Sequence, residues 1–169
     1  MKQIFTFLIA IVLTASIHAQ SGFYGMTYSG GNSGIGTIFK TDNSGNNQSV
    51  LYSFSFNEGR SPKGSLIQAS NGKLYGMTTF DEQSNKGVLF EYDPATGLYT
   101  KKIDFDGINK GRNPEGSLIQ ASNGKLYGMT SSGGQSNKGV LFEYDPATNT
   151  FIKKIDFDGT NKGSSPRSS

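Results

Sequence analysis

Beyond the segment that holds its single histidine, the arrangement in this sequence that suits acid–base catalysis is a pair of carboxylates. Glu91 and Glu143 sit in the middle of matching segments, with Asp93 and Asp145 two residues on. Paired carboxylates of this kind serve glycoside hydrolysis as acid and base or nucleophile. Here, though, each recurs identically, and one active site needs an asymmetric constellation, so the repetition points to structural roles. Two further clusters, Asp104-Phe105-Asp106-Gly107-Ile108-Asn109 and Asp156-Phe157-Asp158-Gly159-Thr160-Asn161, place alternate acidic oxygens ahead of a glycine bend, as the start of a calcium loop does. They lack the later bidentate acid, and the matching stretch nearer the N-terminus reads Ser53-Phe54-Ser55. The competing reading is a strand end capped by Asp and turned by Gly. The chain has no cysteine, no tryptophan and a single histidine, His18. Serine and cysteine triads, a histidine base in the body of the chain and His/Cys zinc sites are thereby excluded. No catalytic, cofactor-binding or metal-ligating residue is assigned, and no cofactor is expected.

The elements that position these groups follow from an internal repeat. Residues 64–114 align without a gap on 116–166, an offset of 52, with 40 of 51 positions identical. A more diverged copy comes first. Phe23-Tyr24-Gly25-Met26-Thr27 matches Leu74 to Thr78, Gly36 to Phe39 matches Gly87 to Phe90, and Pro62 matches Pro114. The expected organisation is residues 20–62 as repeat 1 without its first strand, 63–114 as repeat 2, 115–166 as repeat 3, and 167–169 as the start of another.

Each copy carries four strand-sized runs between turn signals. The first is Ser65 to Ala69, closed by Asn71-Gly72, a pair that suits a type I′ hairpin turn with positive φ at both residues. The second is Lys73 to Thr78, followed by a longer loop to Lys86. The third, Val88 to Tyr92, places Val88, Phe90 and Tyr92 on one face and turns at Asp93-Pro94-Ala95-Thr96. The fourth, Tyr99 to Asp106, is expected to show Tyr99, Ile103 and Phe105 on one face and Lys102, Asp104 and Asp106 on the other. The predicted class is all-β: propeller-type four-stranded blades in tandem, about three of them, forming an incomplete ring. The aromatics Tyr75, Phe90, Tyr92, Tyr99 and Phe105 read as blade core rather than as a sugar-stacking platform.

The run Pro-Xaa-Gly-Ser-Leu-Ile, then Asn-Gly-Lys-Leu-Tyr-Gly-Met-Thr, then Gly133-Gly134 and Gly139-Val140-Leu141-Phe142, resembles the GloVer (Gloeo/Verruco) tandem repeat of exported bacterial proteins. The segment Phe142 to Phe151, with its Tyr-Asp-Pro turn, is similar to a kelch blade. The resemblance implies an exported or surface location and no established enzymatic activity. The sequence departs from that pattern where Asp81 and Glu82 replace the Gly pair, and no sorting domain is expected within residues 20–169.

Residues 1–19 have the three parts of a secretory signal peptide: Lys2, an apolar run from Ile4 to Leu13, and small residues ending at Ala19. The apolar run is shorter than a membrane span requires. Beyond residue 19 there remain 15 Lys and Arg against 13 Asp and Glu, scattered without a basic track, which argues against nucleic acid as a partner. The expected function is therefore an exported, non-enzymatic recognition or adhesion module, secreted or at the cell surface, with an extracellular glycan or protein as partner and with open strand edges able to self-associate. Its binding rim would be the longer loops, displaying Asn85, Lys86, Asn109, Lys110, Asn137 and Lys138. The alternative is a truncated fragment of a larger multi-domain propeller protein whose polysaccharide-processing or anchoring part is missing.

Overall fold

The computed structural model describes residues 22–167; the expected signal peptide lies outside them. Eleven strands form three open antiparallel sheets. Blade 1 contains β1 (Tyr24–Thr27), β2 (Thr37–Lys40) and β3 (Ser49–Ser53). Blade 2 runs β4 (Ile67–Gln68), β5 (Leu74–Thr78), β6 (Val88–Asp93) and β7 (Leu98–Asp104). Blade 3 repeats it as β8 (Ile119–Gln120), β9 (Leu126–Thr130), β10 (Val140–Asp145) and β11 (Thr150–Asp156). Strand order within each sheet is the order in sequence, as in a meander. The one helical element among the described residues is a single 3-10 turn, Phe56–Glu58, between blades 1 and 2.

The Asn-Gly turn differs from expectation. Gly72 lies at φ 80° but Asn71 is not in the positive-φ region. The Gly72 amide donates to the Ala69 carbonyl and the Ala69 amide to Lys73. This is a three-residue loop ending in a glycine bulge, not a type I′ turn. The Lys73 amide donates to the Asn71 side chain, which explains the asparagine. The first strand is also shorter than the apolar run, because only Ile67 and Gln68 pair with β5.

A β-bulge at the same place in every blade decides which way the fourth strand faces. Leu89 pairs with Ile103 but Phe90 pairs with Lys101, leaving Lys102 as the extra residue. Blade 3 does the same around Lys154 and blade 1 around Leu51. A bulge reverses the side-chain alternation beyond it. Tyr99 therefore joins Phe90, Tyr92 and Leu74 against blade 1, while Ile103 and Phe105 join Tyr75, Met77 and Leu89 against blade 3. The expected common face for Tyr99, Ile103 and Phe105 is corrected accordingly.

The two apolar cores thus lie between blades. Phe54, which follows β3, packs edge-on against Phe90 with ring centroids 5.4 Å apart, and Phe105, which follows β7, meets Phe142 at 5.6 Å. Tyr99 adds a polar tie by donating to the Glu58 carbonyl at 2.6 Å. The inner strands converge: the Ser65 amide donates to Ser117 Oγ, the Ser70 amide to Gln120, and Lys63 pairs with Glu115 at 2.7 Å. Sheets whose first strands meet while their faces stack are propeller blades in arrangement.

Candidate functional site

The meander sorts the connections onto two rims. Asn71-Gly72 and the turn from Asp93 to Gly97 occupy one. The loops from Thr79 to Gly87 and from Phe105 to Ser117, with their counterparts, occupy the other.

On the short-turn side, Asp93 and Asp145 act as turn caps, each accepting the amide two residues ahead at 2.9 Å. Glu91 lies 7 % exposed between blades 2 and 3. It accepts hydrogen bonds from Tyr75 and from Lys73 at 2.8 Å, with the bulged Lys102 at 3.8 Å. Burial opposes its charge, but these partners outweigh burial and hold its carboxyl below the usual range. Burial, followed by the bond to Glu91, pushes the Tyr75 phenol up and keeps it a donor. Glu143 repeats the arrangement with Lys125 at 2.6 Å, Tyr127 at 2.8 Å and Lys154 at 3.5 Å, and the bonds to Lys125 and Tyr127 bring it to about 2. Both glutamates are ionised, and neither has a second carboxylate among these partners. The re-aimed lysine is what the bulge contributes to each network.

On the long-loop side, the aspartates of the Asp-Phe-Asp-Gly segments find their partners within the chain. Asp104 pairs with Lys101 at 2.7 Å and Asp156 with Lys153 at 2.6 Å. Asp106 Oδ1 accepts the Asn109 and Lys110 amides, both at 2.8 Å, and Asp158 Oδ1 accepts three amides from residues 160–162. These aspartates fold their own loops. Among the described residues no three His, Cys, Asp or Glu side chains come together. Asp81, in place of the expected glycine, is 3 % exposed and accepts the Ser84, Lys86 and Gly87 amides and the Ser84 hydroxyl. Burial opposes ionisation of Asp81 and Asp106, yet these amides prevail and lower both carboxyls.

The six rim residues anticipated from sequence divide. Asn109 and Lys138 are exposed, and Lys86 and Lys110 are half-buried. Asn85 and Asn137 reach the surface at φ 55°, but their side-chain oxygens are engaged by two arginines. Arg60 donates to Asn85 at 3.0 Å and Arg112 to Asn137 at 3.1 Å. The backbones of the same arginines pair with Phe80 and Ser132 of the following blade. Neither arginine was anticipated; their signal is the 52-residue spacing between copies 1 and 2, which breaks at Ser164 in copy 3. The two settings differ. Arg60 lies against the Phe80 ring at 5.2 Å, whereas Ser132 replaces that ring beside Arg112. A cleft of about 400 Å³ opens there, lined by Lys86, Asp106, Gly107, Ile108, Arg112, Gly134 and Asn137. The Nε atoms of both Arg60 and Arg112 are buried without a hydrogen-bond partner, and that of Arg112 lies in the neighbourhood of this cleft.

A repeat model described as the Gloeobacter/Verrucomicrobia repeat matches residues 12–169. The chain belongs to that repeat family. Its match begins inside the segment read as a signal peptide. Among solved structures, this Gloeobacter/Verrucomicrobia repeat protein is similar to TolB from Acinetobacter baumannii, with a TM-score of 0.51, 14 % identity, 80 % of this chain covered and 31 % of that one. It is also similar to the extracellular domain assigned to a hybrid two-component system of B. thetaiotaomicron, with a TM-score of 0.54, 16 % identity, 85 % of this chain covered and 16 % of that one. At such identities the likeness is one of fold, and the chain spans less than a third of either structure. No curated protein matches the sequence. No helix of the described residues is long and apolar enough to cross a membrane.

Proposed function

We propose that this repeat protein is an exported, non-enzymatic recognition module that binds an extracellular glycan through its long-loop rim. The observation that carries the reading is the cleft beside Arg112. It combines two cations, Lys86 and Arg112, with a carboxylate, Asp106, an exposed apolar side chain, Ile108, and a buried guanidinium N–H that lacks an acceptor. Convergent polar groups beside an apolar wall on a rigid scaffold suit sugar hydroxyls and carboxylates. Export rests on the signal-like residues 1–19, and binding without turnover rests on the recurrence of the Glu91 and Asp93 settings at Glu143 and Asp145.

A polysaccharide array probed with the purified chain tests it. Retention of at least one glycan, unchanged in mass, is the expected result, with loss in Arg112→Ala and retention in Ala95→Lys on the opposite rim. No glycan retained, or binding indifferent to Arg112, would refute the proposal. A second reading is a portion of a longer propeller with an enzymatic or anchoring part elsewhere. It is favoured by the small share of each solved neighbour that the chain spans, and sequencing the gene downstream of codon 169 tests it.

A further inference from the structure

The two interior blade contacts share one plan, and the molecule presents each half of that plan once more without its counterpart. In each interior contact a donor face ends in a phenylalanine that follows the fourth strand: Phe54 in blade 1, Phe105 in blade 2. The acceptor face centres on a third-strand phenylalanine seated over a glycine. A Cβ on Gly76 would lie 2.6 Å from the Phe90 ring, and one on Gly128 would lie 2.6 Å from Phe142. The seat exists because those glycines have no side chain.

Blade 3 repeats the donor face, and no blade of the described residues packs on it. Tyr75, Met77, Leu89, Ile103 and Phe105 of blade 2 are all buried, whereas Tyr127, Met129, Leu141 and Phe157 are part-exposed and Ile155 is 36 % exposed against 8 % for Ile103. Blade 1 repeats the acceptor face. Phe39 is seated over Gly25, where a Cβ would lie 2.5 Å from its ring, but it is part-exposed where Phe90 and Phe142 are fully buried. Beside it Phe23 is 60 % and Val50 56 % exposed.

We infer that these faces complete each other between two copies of this chain, blade 3 of one receiving blade 1 of the next with Phe157 packed on Phe39. Continuity with the interior contacts supports this: the blade 3 face repeats the donor residues of blade 2 position for position, and the blade 1 face keeps the seated phenylalanine with Phe23 in the place of Leu74, although Thr41 and Gln48 stand where blade 2 has Tyr92 and Tyr99. The contact is head-to-tail, so copies either close or propagate. Two arcs of three blades joined at both ends make six blades, within the four to eight of a radial array. A ring of two copies is therefore the closed product. Apolar faces of this kind left open would otherwise be an aggregation liability.

Sedimentation velocity of the purified chain over a range of concentration tests the inference. The expected species has twice the monomer mass. Phe157→Lys and Phe39→Lys should each convert it to a folded monomer with the far-UV spectrum intact, raising the dissociation constant by roughly 30-fold or more. Mixing the two variants is the sharper measurement. One junction in the mixed pair retains both native phenylalanines, so a heterodimer should reappear that neither variant forms alone. A wild-type chain that is monomeric at every concentration overturns the inference. So does a dimer broken by Phe157→Lys but indifferent to Phe39→Lys, since that pattern belongs to two blade 3 faces meeting each other.

Discussion

Phe105 sets its ring 5.6 Å from that of Phe142, joining the end of one blade to the third strand of the next, as Phe54 does to Phe90 at 5.4 Å. Phe105 is 1 % exposed and also meets Phe151 edge-on. Its removal leaves a cavity that rigid strands on both sides cannot fill. Phe105→Ala should cost about 3–5 kcal/mol in urea unfolding. The same change at Phe157, measured on the monomer, should cost about 1 kcal/mol or less, because that ring already meets solvent.

The glycine seats give a test that separates crowding from backbone strain. Gly76→Ala places a methyl against both Phe90 and Leu66 in a strand with ordinary φ. Overpacking there should destabilise by about 1–3 kcal/mol. Gly72→Ala has open space around it but sits at φ 80°, so its cost, about 1 kcal/mol, arises from the backbone alone. Chemical denaturation of the two variants side by side should rank them in that order.

The repeat period, four strands per copy and both rims were legible in the sequence because turn chemistry and alternation are local. The allocation of side chains between blade faces was not. Nothing in Lys101-Lys102-Ile103 marks Lys102 as the bulged residue, since its role is set by pairing with β6 and by Glu91 across the strand. The Asp-Phe-Asp-Gly loops left two readings open for the same reason: alternate acids look alike in sequence whether they face a cation or their own amides. Arg60 and Arg112 were hidden because the most similar copies, 2 and 3, are the pair that do not share them.

Acid should unfold the protein through its capped and paired carboxylates. Glu91, Glu143, Asp81 and Asp106 all titrate lower in the folded chain than ordinary side chains do, Glu143 at about 2. As pH falls, the unfolded chain binds protons first. Their stabilisation is therefore complete above the ordinary glutamate value of 4.5 and is lost as pH drops toward the folded values. Urea midpoints should be flat between about pH 5 and 8 and fall below that range. Glu143→Gln should make the fall shallower, because a permanently neutral side chain removes one proton from the linkage.

Chelation gives an independent check on the aspartate loops. Because Asp106 Oδ1 is committed to the Asn109 and Lys110 amides, excess EDTA should leave the melting temperature within about 1 °C of its value in added calcium. Asp106→Ala should lower stability by about 1–3 kcal/mol, since two amides lose their acceptor. A calcium-dependent rise of several degrees, abolished by that substitution, would contradict the capping role.

The loop at Asp81 shows how two sequences reach one backbone. In blade 3 the Gly139 amide donates to the Gly133 carbonyl at 2.9 Å; in blade 2 the equivalent Gly87 amide donates to Asp81 Oδ1 at 3.2 Å. The following residue docks identically in both, Gly134 onto the Gly107 carbonyl and Glu82 onto that of Phe56. The carboxylate therefore substitutes for a carbonyl that only the glycine loop presents. Asp81→Gly alone removes the acceptor of three amides and a hydroxyl, and should cost about 1–3 kcal/mol. Replacing Thr79 to Glu82 together with Ser-Ser-Gly-Gly, the blade 3 sequence, supplies the alternative carbonyl and should recover much of that loss. Thermal unfolding of both variants measures the difference. Equal destabilisation would mean that the carboxylate does more in blade 2 than stand in for a backbone oxygen.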